Sequence, residues 1–205
     1  EQEVGVVLVD IGGGTTDITI YSEGSIVHTA VLALGGNHLT HDIAIGLGTP
    51  LQEAEEIKHS NGIALSEMTD ESEMIAVPSV GGRNNRQMKK MVLAGIIEDR
   101  FREIFELIGR EIEKTHYHKL MASGVVITGG SCIMPGVDQL AHQVLNMPVR
   151  VGFPEHISGL KELIYSPKYA TSVGLVRYGI TSNQGKLNFV GDETNLFHKV
   201  SRRMK

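Results

Sequence analysis

The chain has 205 residues, 41% hydrophobic and 21% charged, which is ordinary for a globular protein and allows one generous domain or two small ones. Its 24 Asp and Glu outnumber its 19 Lys and Arg, and the resulting net charge of −5 argues against nucleic acid as a partner. The single cysteine excludes an internal disulfide and fits a reducing, cytoplasmic setting, and no apolar run is long enough for a membrane-spanning helix.

The first elements are predicted to be strands joined by short turns. The apolar run 4–9 predicts a buried strand that brings Asp10 to its end. Residues 18–21 then turn back through 22–25 into a further strand over 26–32. The chain therefore opens on two successive hairpins.

The turn between the first two strands has the composition of a phosphate site. Three successive glycines let the backbone approach an anion and leave several amide groups free to point at it. Two threonines add hydroxyl donors, and an aspartate supplies a carboxylate suited to the water shell of Mg²⁺. The spacing is not that of a Walker-type loop or a dinucleotide fingerprint, and such a hairpin can equally be only a tight turn. The candidate residues are Asp10, Gly12, Gly13, Gly14, Thr15 and Thr16.

Two helices are predicted next. The first should be capped by Asn37 or Thr40, because both are favoured N-cap residues and apolar side chains follow at helical spacing. The second covers about 51–59 and places Glu55 and Lys58 one turn apart.

The longest helix is predicted after residues 62–82, which have the pattern of short strands and polar turns. Apolar residues from Met88 to Ile112 recur at helical spacing, with charged residues on the other sides. This pattern is typical of an amphipathic surface helix.

A second glycine turn follows another apolar strand. The strand is predicted over 125–128, and Gly129, Gly130 and Ser131 come directly after it. A helix from 137 to 144 leads to a further strand at 148–151, another helix covers 167–178, and a polar linker begins at 182. Alternation of strands and helices predicts a layered α/β fold.

The two glycine turns, at 10–17 and 128–136, can form opposite sides of one nucleotide cleft. Together with the pair Glu55 and Lys58, they resemble the motifs of the actin/Hsp70/sugar-kinase ATPase superfamily. The first turn is similar to that superfamily's second phosphate loop, and the second turn to its adenosine motif. Residues 167–175 resemble its second connecting helix.

Within this superfamily the chain resembles the FtsA family of bacterial cell-division proteins. The similarity covers roughly residues 4–180. It rests on the segments 9–17, 35–44, 54–58 and 97–100 and on the pairs Gly129-Gly130 and Pro135-Gly136. The family's first phosphate loop should lie upstream, so the chain is expected to be the C-terminal half of such a protein.

The resemblance implies an actin-like, ribonuclease H-like α/β fold, with a mixed β-sheet, flanking helices and a small inserted α+β subdomain. Residues 1–34 and 107–162 would form subdomain 2A, and 35–106 subdomain 2B. Residues 163–181 would be a helix returning to domain 1A, and 182–205 a linker with the start of an amphipathic tail.

The same resemblance implies ATP and Mg²⁺ as ligands. Asp10 would reach magnesium through water, and the glycines and threonines that follow it would lie near the phosphates. Glu55 and Lys58 would flank the adenine, although such a pair is also common on helix surfaces. The resemblance implies weak or no ATPase activity in the intact protein. Phosphoryl transfer needs groups from both sides of the cleft, so we expect this half alone to be inactive. The residues near the ribose and base would be Gly129, Gly130 and Ser131.

Three kinds of partner are implied: the tubulin-like division protein FtsZ, other copies of the protein, and the cytoplasmic membrane. The acidic, apolar C-terminal peptide of FtsZ would bind a locally basic region, since arginine is favoured for carboxylate recognition, although such charges are usually just solvated. That region comprises Arg86, Lys89, Lys90, Met91 and Arg100.

The end of the chain can form an amphipathic helix. Phe197, Val200 and Met204 align on one face with basic residues opposite, as in a membrane-targeting segment. A frayed basic tail fits the same pattern.

The predicted function is that of a scaffold that tethers FtsZ filaments to the cytoplasmic face of the membrane at the division septum and polymerises itself. Two alternatives stay open: a pilus-assembly ATPase of the PilM type, and a sugar or acetate kinase. Nothing in the chain beyond the phosphate turn nominates a kinase's catalytic acid or base.

Overall fold

The computed structural model describes residues 1–81, 84–115, 121–155 and 161–183. The chain divides into two units, Glu1–Ala170 and Thr171–Lys205. The strands are β1 (Val6–Ile11), β2 (Thr16–Ser22), β3 (Ser25–Leu32), β4 (Met74–Val77), β5 (Arg86–Lys89), β6 (Val125–Thr128) and β7 (Val149–Val151), and the helices are α1 (Gly36–Leu47), α2 (Leu51–Asn61), α3 (Lys90–Glu113), α4 (Val137–Leu145), α5 (Lys161–Ile164) and α6 (Ala170–Asn183).

Five strands form a mixed sheet in the order β3-β2-β1-β6-β7. β1 pairs antiparallel with β2 and parallel with β6, and β6 pairs parallel with β7. Strands β1 and β6 are largely apolar because both of their faces are covered, whereas β2 alternates polar and apolar residues and β3, at an edge, has no buried residue. The predicted mixed α/β architecture is confirmed.

The turn between β2 and β3 is built by two residues of left-handed backbone. Glu23 has φ of 52° and Gly24 has φ of 75°, as in the turn that best matches the twist of a two-residue hairpin. Ser22 and Ser25 pair across it. The predicted hairpin at 22–25 is confirmed.

Helix α1 begins earlier than predicted. Gly35 is its N-cap, and the Gly35 N–H donates to Nδ1 of His38 at 3.2 Å. The predicted caps, Asn37 and Thr40, therefore lie inside the helix. Helix α2 ends before Gly62, close to the predicted boundary.

The prediction that Met88 belongs to the long helix is wrong. Met88 lies in β5 and pairs with Ile75 of β4. The N–H of Lys90 still donates to the Glu73 carbonyl at 2.9 Å, so the pairing ends only where α3 begins. Tertiary pairing overrides a local helical period at this position.

Helix α3 supplies much of the core. Its buried face includes Phe101 and Phe105, whose rings stack with centroids 5.9 Å apart. It packs against both α1 and α4. Each large apolar side chain buried here stabilises the fold by about 1.5–3 kcal/mol.

The predicted helix over 167–178 is divided. Residues Pro167–Tyr169 form a 3-10 turn, and α6 follows. In the second unit the described residues are 171–183, and their apolar side chains are largely exposed. Among the described parts of the chain, no helix combines the length and the apolar character needed to cross a membrane. The four-part division into 2A, 2B, returning helix and tail stays a prediction.

Candidate nucleotide-binding cavity

A cavity of about 380 Å³ lies where three turns and helix α2 meet. This volume falls within the range of about 300–1,000 Å³ typical of small-molecule sites. Of the residues predicted to bind nucleotide, six line it: Gly12, Gly13, Glu55, Lys58, Gly130 and Ser131.

The parallel pairing of β1 with β6 brings the first and second turns together. Asp10 is paired with Thr128, so both strands end at the same edge of the sheet and both turns leave from it. Ser131 Oγ donates to the Gly12 carbonyl at 3.2 Å. The two predicted turns therefore form adjoining walls of one cavity.

Gly129 permits this close approach. Its φ of 96° is strained for any other residue, and a Cβ would lie 2.4 Å from the Ile11 carbonyl oxygen and 2.5 Å from Asp10 Oδ1. Gly129 is buried and does not line the cavity. Its observed contacts are those of a backbone-packing residue.

The third turn comes directly before helix α1. Its residues belong to the segment 35–44 that carries the family resemblance, but no role at the site is predicted for them. The Gly36 N–H donates to the Gly12 carbonyl at 2.9 Å, and the Asn37 N–H donates to the Gly13 carbonyl at 2.8 Å. A Cβ on Gly35 would lie 2.7 Å from the Gly12 carbonyl oxygen, so glycine is needed for the approach. The N-terminus of α1 is thereby fixed against the glycine turn.

Glu55 and Lys58 form an ion pair, with Lys58 Nζ 2.7 Å from Glu55 Oε2. The Lys58 side chain is only 9% exposed. Burial of the Glu55 carboxyl opposes its ionisation, but hydrogen bonds from Lys58 and Thr40 outweigh that effect and hold its pKa below the usual value. The other carboxylate oxygen, Oε1, lies 2.9 Å from Nε2 of His59.

The remaining predicted phosphate residues do not line the cavity. Thr16 is buried and donates its hydroxyl to the Leu34 carbonyl at 2.9 Å. Thr15 is exposed and donates to Asp17 Oδ2 at 3.2 Å. Gly14 is exposed, with nothing within 4 Å of a Cβ placed on it. Their contacts with phosphate stay predictions.

Asp10 lies at the end of β1, half-buried, close to Gly129 and Cys132. Burial raises the pKa of the Cys132 thiol, and the negative charge of Asp10 adds to that effect. Among the described residues, no cluster of three or more His, Cys, Asp or Glu is arranged to hold a metal ion directly. The role of Asp10 toward magnesium, which would act through water, stays a prediction.

Several residues that line the cavity have no role predicted from the sequence. Ile133, Met134 and Pro135 lie within the predicted adenosine motif, so the signal for them was present although no role was assigned. Lys168 lies on the 3-10 turn before α6, far along the chain from the first turn, and has no local signal. Among the described residues, the lining residues without a predicted role are Gly36, Asn37, Leu39, His59, Gly62, Ile133, Met134, Pro135 and Lys168.

Arg86, Lys90 and Arg100, three of the cations predicted to bind a partner protein, each bind other groups of this chain. Arg86 donates to the carbonyls of Leu47 and Gly48 at the end of α1. Lys90 Nζ lies 2.8 Å from Glu73 Oε1. Lys89 is exposed on β5, and Met91 is half-buried at the start of α3.

Arg100 is likewise ion-paired, with Asp42 and Glu103. It lies almost three turns along α3 from Lys90. Peptide binding by these residues stays a prediction. The predicted membrane residues Phe197, Val200 and Met204 lie outside the described residues.

Comparison with known sequences identifies a family. The family model described as cell division protein FtsA matches residues 7–174. The FtsA of Pseudomonas aeruginosa is 46% identical over 180 residues, covering 88% of this chain and 43% of that protein. The FtsA of Escherichia coli K12 is 42% identical over 190 residues, covering 89% and 45%. The chain thus spans less than half the length of these relatives.

Comparison with solved structures identifies the fold. MreB5 of Spiroplasma citri bound to AMPPNP superposes with a TM-score of 0.71 at 20% identity, covering 90% of this chain and 55% of MreB5. The PilM-PilN type IV pilus biogenesis complex superposes with a TM-score of 0.63 at 18% identity, covering 88% of this chain and 47% of the matched chain. These similarities confirm the predicted actin-like fold and nothing finer. The match to the family model and the identity with its members show that the chain belongs to the FtsA family of cell division proteins.

Proposed function

We propose that this chain supplies one side of the ATP site of an actin-like cell-division protein. The observation that carries the proposal is the meeting of the first glycine turn, the Gly130–Ser131 wall and the pair Glu55 and Lys58 around one cavity. A backbone turn without side chains can admit phosphate oxygens, and a carboxylate beside it can accept hydrogen bonds from a sugar or base.

The residues present fit a nucleotide. Apolar side chains of Ile133 and Met134 line the cavity beside the polar pair, as in sites that hold a flat base by its faces and orient it by its edges. The exposed Lys168 adds a positive charge to the lining. When bound, Mg²⁺ would neutralise phosphate charge, and Asp10 is the carboxylate that would hold its water shell. We assign no catalytic residue to this chain.

The cavity-lining residues that the structure describes belong to the first unit, so the isolated chain can be tested. Because the chain would supply only one side of the site, we expect it to bind ATP weakly, with roughly millimolar affinity. The test is an NMR titration of the isotope-labelled chain with Mg-ATP. Saturable shifts in the amides of Gly13, Gly130 and Ser131 would support the proposal. No saturable shift in any cavity amide would overturn it.

The wider role follows from the family. We propose that the intact protein tethers FtsZ filaments to the cytoplasmic face of the cell membrane at the division septum and polymerises itself. Family membership supports this role, together with the basic residues near α3 and the amphipathic pattern of the tail.

Two alternatives are a pilus-assembly ATPase of the PilM type and a sugar or acetate kinase. The chain shares its fold with PilM, but a sequence identity of 18% is too low to transfer a function from PilM. The FtsA family model, in contrast, matches residues 7–174. Binding of a peptide with the FtsZ C-terminal sequence would separate the proposal from both alternatives.

A further inference from the structure

A second cavity, of about 350 Å³, adjoins the candidate nucleotide cavity. The two cavities share the segment 133–135 of their lining and no other described residue. The glycines of the first turn and the pair Glu55 and Lys58 do not line the second cavity. Its volume is also in the range of small-ligand sites, about 300–1,000 Å³. The second cavity is therefore a separate site, for which the proposed function gives no role.

Two exposed aromatic rings line the second cavity. Phe153 follows strand β7 and Tyr165 follows helix α5, and their rings stack with centroids 5.0 Å apart and planes 14° apart. The two residues are 39% and 49% exposed. In the described part of the first unit, every other Phe or Tyr is buried or half-buried. Because aromatic residues are enriched where proteins bind their partners, this pair indicates a recognition surface.

Asp138 carries the charge of the second cavity. It is the one charged residue among the described residues of the lining, half-buried in the first turn of helix α4. Its carboxylate makes no ion pair or hydrogen bond with any residue that the structure describes. The helix dipole favours a carboxylate in the first turn, so the charge is tolerated there without a partner. The cavity therefore favours a cation over an anion such as phosphate.

Aromatic rings beside a free carboxylate match the chemistry of an arginine side chain. The planar guanidinium stacks on aromatic faces, and its fork can donate two hydrogen bonds to one carboxylate. The rest of the lining is largely apolar and includes Ile133, which is 52% exposed, and the half-buried Val151. An apolar residue next to the arginine would bury this surface, which favours binding.

We propose that the second cavity binds an arginine of a partner protein, in a segment where apolar residues flank the arginine. The guanidinium stacks on the ring of Phe153 or Tyr165 and donates to the Asp138 carboxylate. The flanking apolar side chains cover Ile133 and Val151. This partner segment has the opposite charge to the acidic FtsZ peptide, so the two peptides need different surfaces.

The first test compares two blocked tripeptides by NMR titration of the isotope-labelled chain. Leu-Arg-Leu should shift the amides of Asp138 and Phe153 saturably, with roughly millimolar affinity. Leu-citrulline-Leu has nearly the same shape and no charge, and it should bind about tenfold more weakly, the effect of one lost charge-assisted hydrogen bond. Equal affinities, or no saturable shift at this cavity with Leu-Arg-Leu, would overturn the proposal.

Two substitutions separate the charge from the aromatic surface. Asp138→Asn should weaken Leu-Arg-Leu about tenfold and leave Leu-citrulline-Leu within about twofold. Phe153→Ala should weaken both peptides. The control is Glu106→Gln, which removes one negative charge at an exposed position of α3 and should bind as wild type does. If Asp138→Asn and Glu106→Gln behave alike, the peptide is attracted only by the net negative charge of the chain, and the proposal fails.

The other possible occupant is a second copy of this chain, which sedimentation velocity detects. We expect wild type and Asp138→Asn to sediment alike across a range of protein concentrations. A dimer of wild type that Asp138→Asn dissociates would show that the chain pairs with itself at this cavity and would overturn the assignment to a partner protein. None of these experiments uses nucleotide, so their outcome is independent of the proposed ATP site.

Discussion

Arg100 makes a bidentate ion pair with Asp42: Nε donates to Oδ2 at 2.5 Å, and Nη2 donates to Oδ1 at 3.0 Å. The pair joins α3 to α1, and its side chains are 24% and 27% exposed. The hydrogen bonds from Arg100 to Asp42 also raise the pKa of the arginine. A carboxylate that arrives from a partner must therefore displace Asp42 or share Arg100 with it.

This relationship sharpens the test for the FtsZ peptide. Arg100→Glu should lower the affinity of a labelled FtsZ-tail peptide about thirtyfold, because it removes a charge-assisted hydrogen bond and adds repulsion. Asp42→Asn is the matched variant, since it weakens the internal competitor and leaves Arg100 in place, and it should raise the affinity. Fluorescence anisotropy measures both. A dissociation constant that Arg100→Glu leaves unchanged would remove Arg100 from the binding surface.

Gly13→Val should abolish ATP binding while the chain still folds. A Cβ at this position lies 3.5 Å from Asn37 Oδ1, an ordinary contact, but the added side chain would occupy space where phosphate is expected. The control is Gly95→Val in α3, where a Cβ meets nothing within 4 Å and no cavity residue is near in sequence. NMR titration compares the two. Equal ATP affinity in Gly13→Val and Gly95→Val would contradict the assignment of the turn.

The hydrogen bonds of Glu98 should make the stability of the folded chain depend on pH. Burial opposes ionisation of Glu98, but hydrogen bonds from Ser66 and Arg102 outweigh it and hold its pKa below the ordinary value of 4.5. A carboxylate whose pKa is lowered by folding stabilises the folded state above its unfolded pKa, and that stability is lost as pH falls through the folded pKa. The thermal midpoint should therefore drop as pH is lowered below 4.5.

The Glu98→Gln variant should lose part of this acid dependence, as differential scanning calorimetry between neutral pH and pH values below 4.5 can show. Glu106→Gln, at an exposed position of the same helix, is the control for the loss of one negative charge. If the acid slope of Glu98→Gln matches that of wild type, the hydrogen bonds to Ser66 and Arg102 do not set the pKa of Glu98.

The tail gives a prediction about membranes. If Phe197, Val200 and Met204 form an apolar face, the intact protein should co-sediment with anionic liposomes, and deletion of residues 195 onward should release it. The tail present in this chain should bind only marginally, because interfacial affinity grows with the buried apolar area. Sedimentation that does not change on deletion would place the membrane anchor elsewhere.

The part of the site that could be predicted from the sequence lies at the ends of two strands that are each followed by glycines. β1 and β6 are both apolar runs followed by glycine, and their parallel pairing brings these two ends together. Continuous apolar patterning reports burial on both faces, which is why these two strands were predictable.

The missed part depends on contacts between distant backbones. Gly35 is needed because the Gly12 carbonyl lies 2.7 Å from where its Cβ would be, and no local pattern encodes that distance. Lys168 could not be predicted for the same reason, since only folding brings its 3-10 turn to the cavity. Met88 has the spacing of the long helix, but its pairing with Ile75 across the β4–β5 hairpin places it in a strand, and no local pattern shows that pairing.

The parallel pairing of β1 with β6 also determines when the cavity can form. Val7 lies beside Val125 in the sheet, so the greater part of the chain must be synthesised before that pair exists. The hairpins β1-β2 and β2-β3 involve only local contacts and can form early, whereas non-local strand pairing is intrinsically slow. During synthesis the first glycine turn is therefore present long before Ser131 arrives to donate to Gly12. If the cavity binds nucleotide as proposed, nucleotide can assist folding only after β6 has paired with β1.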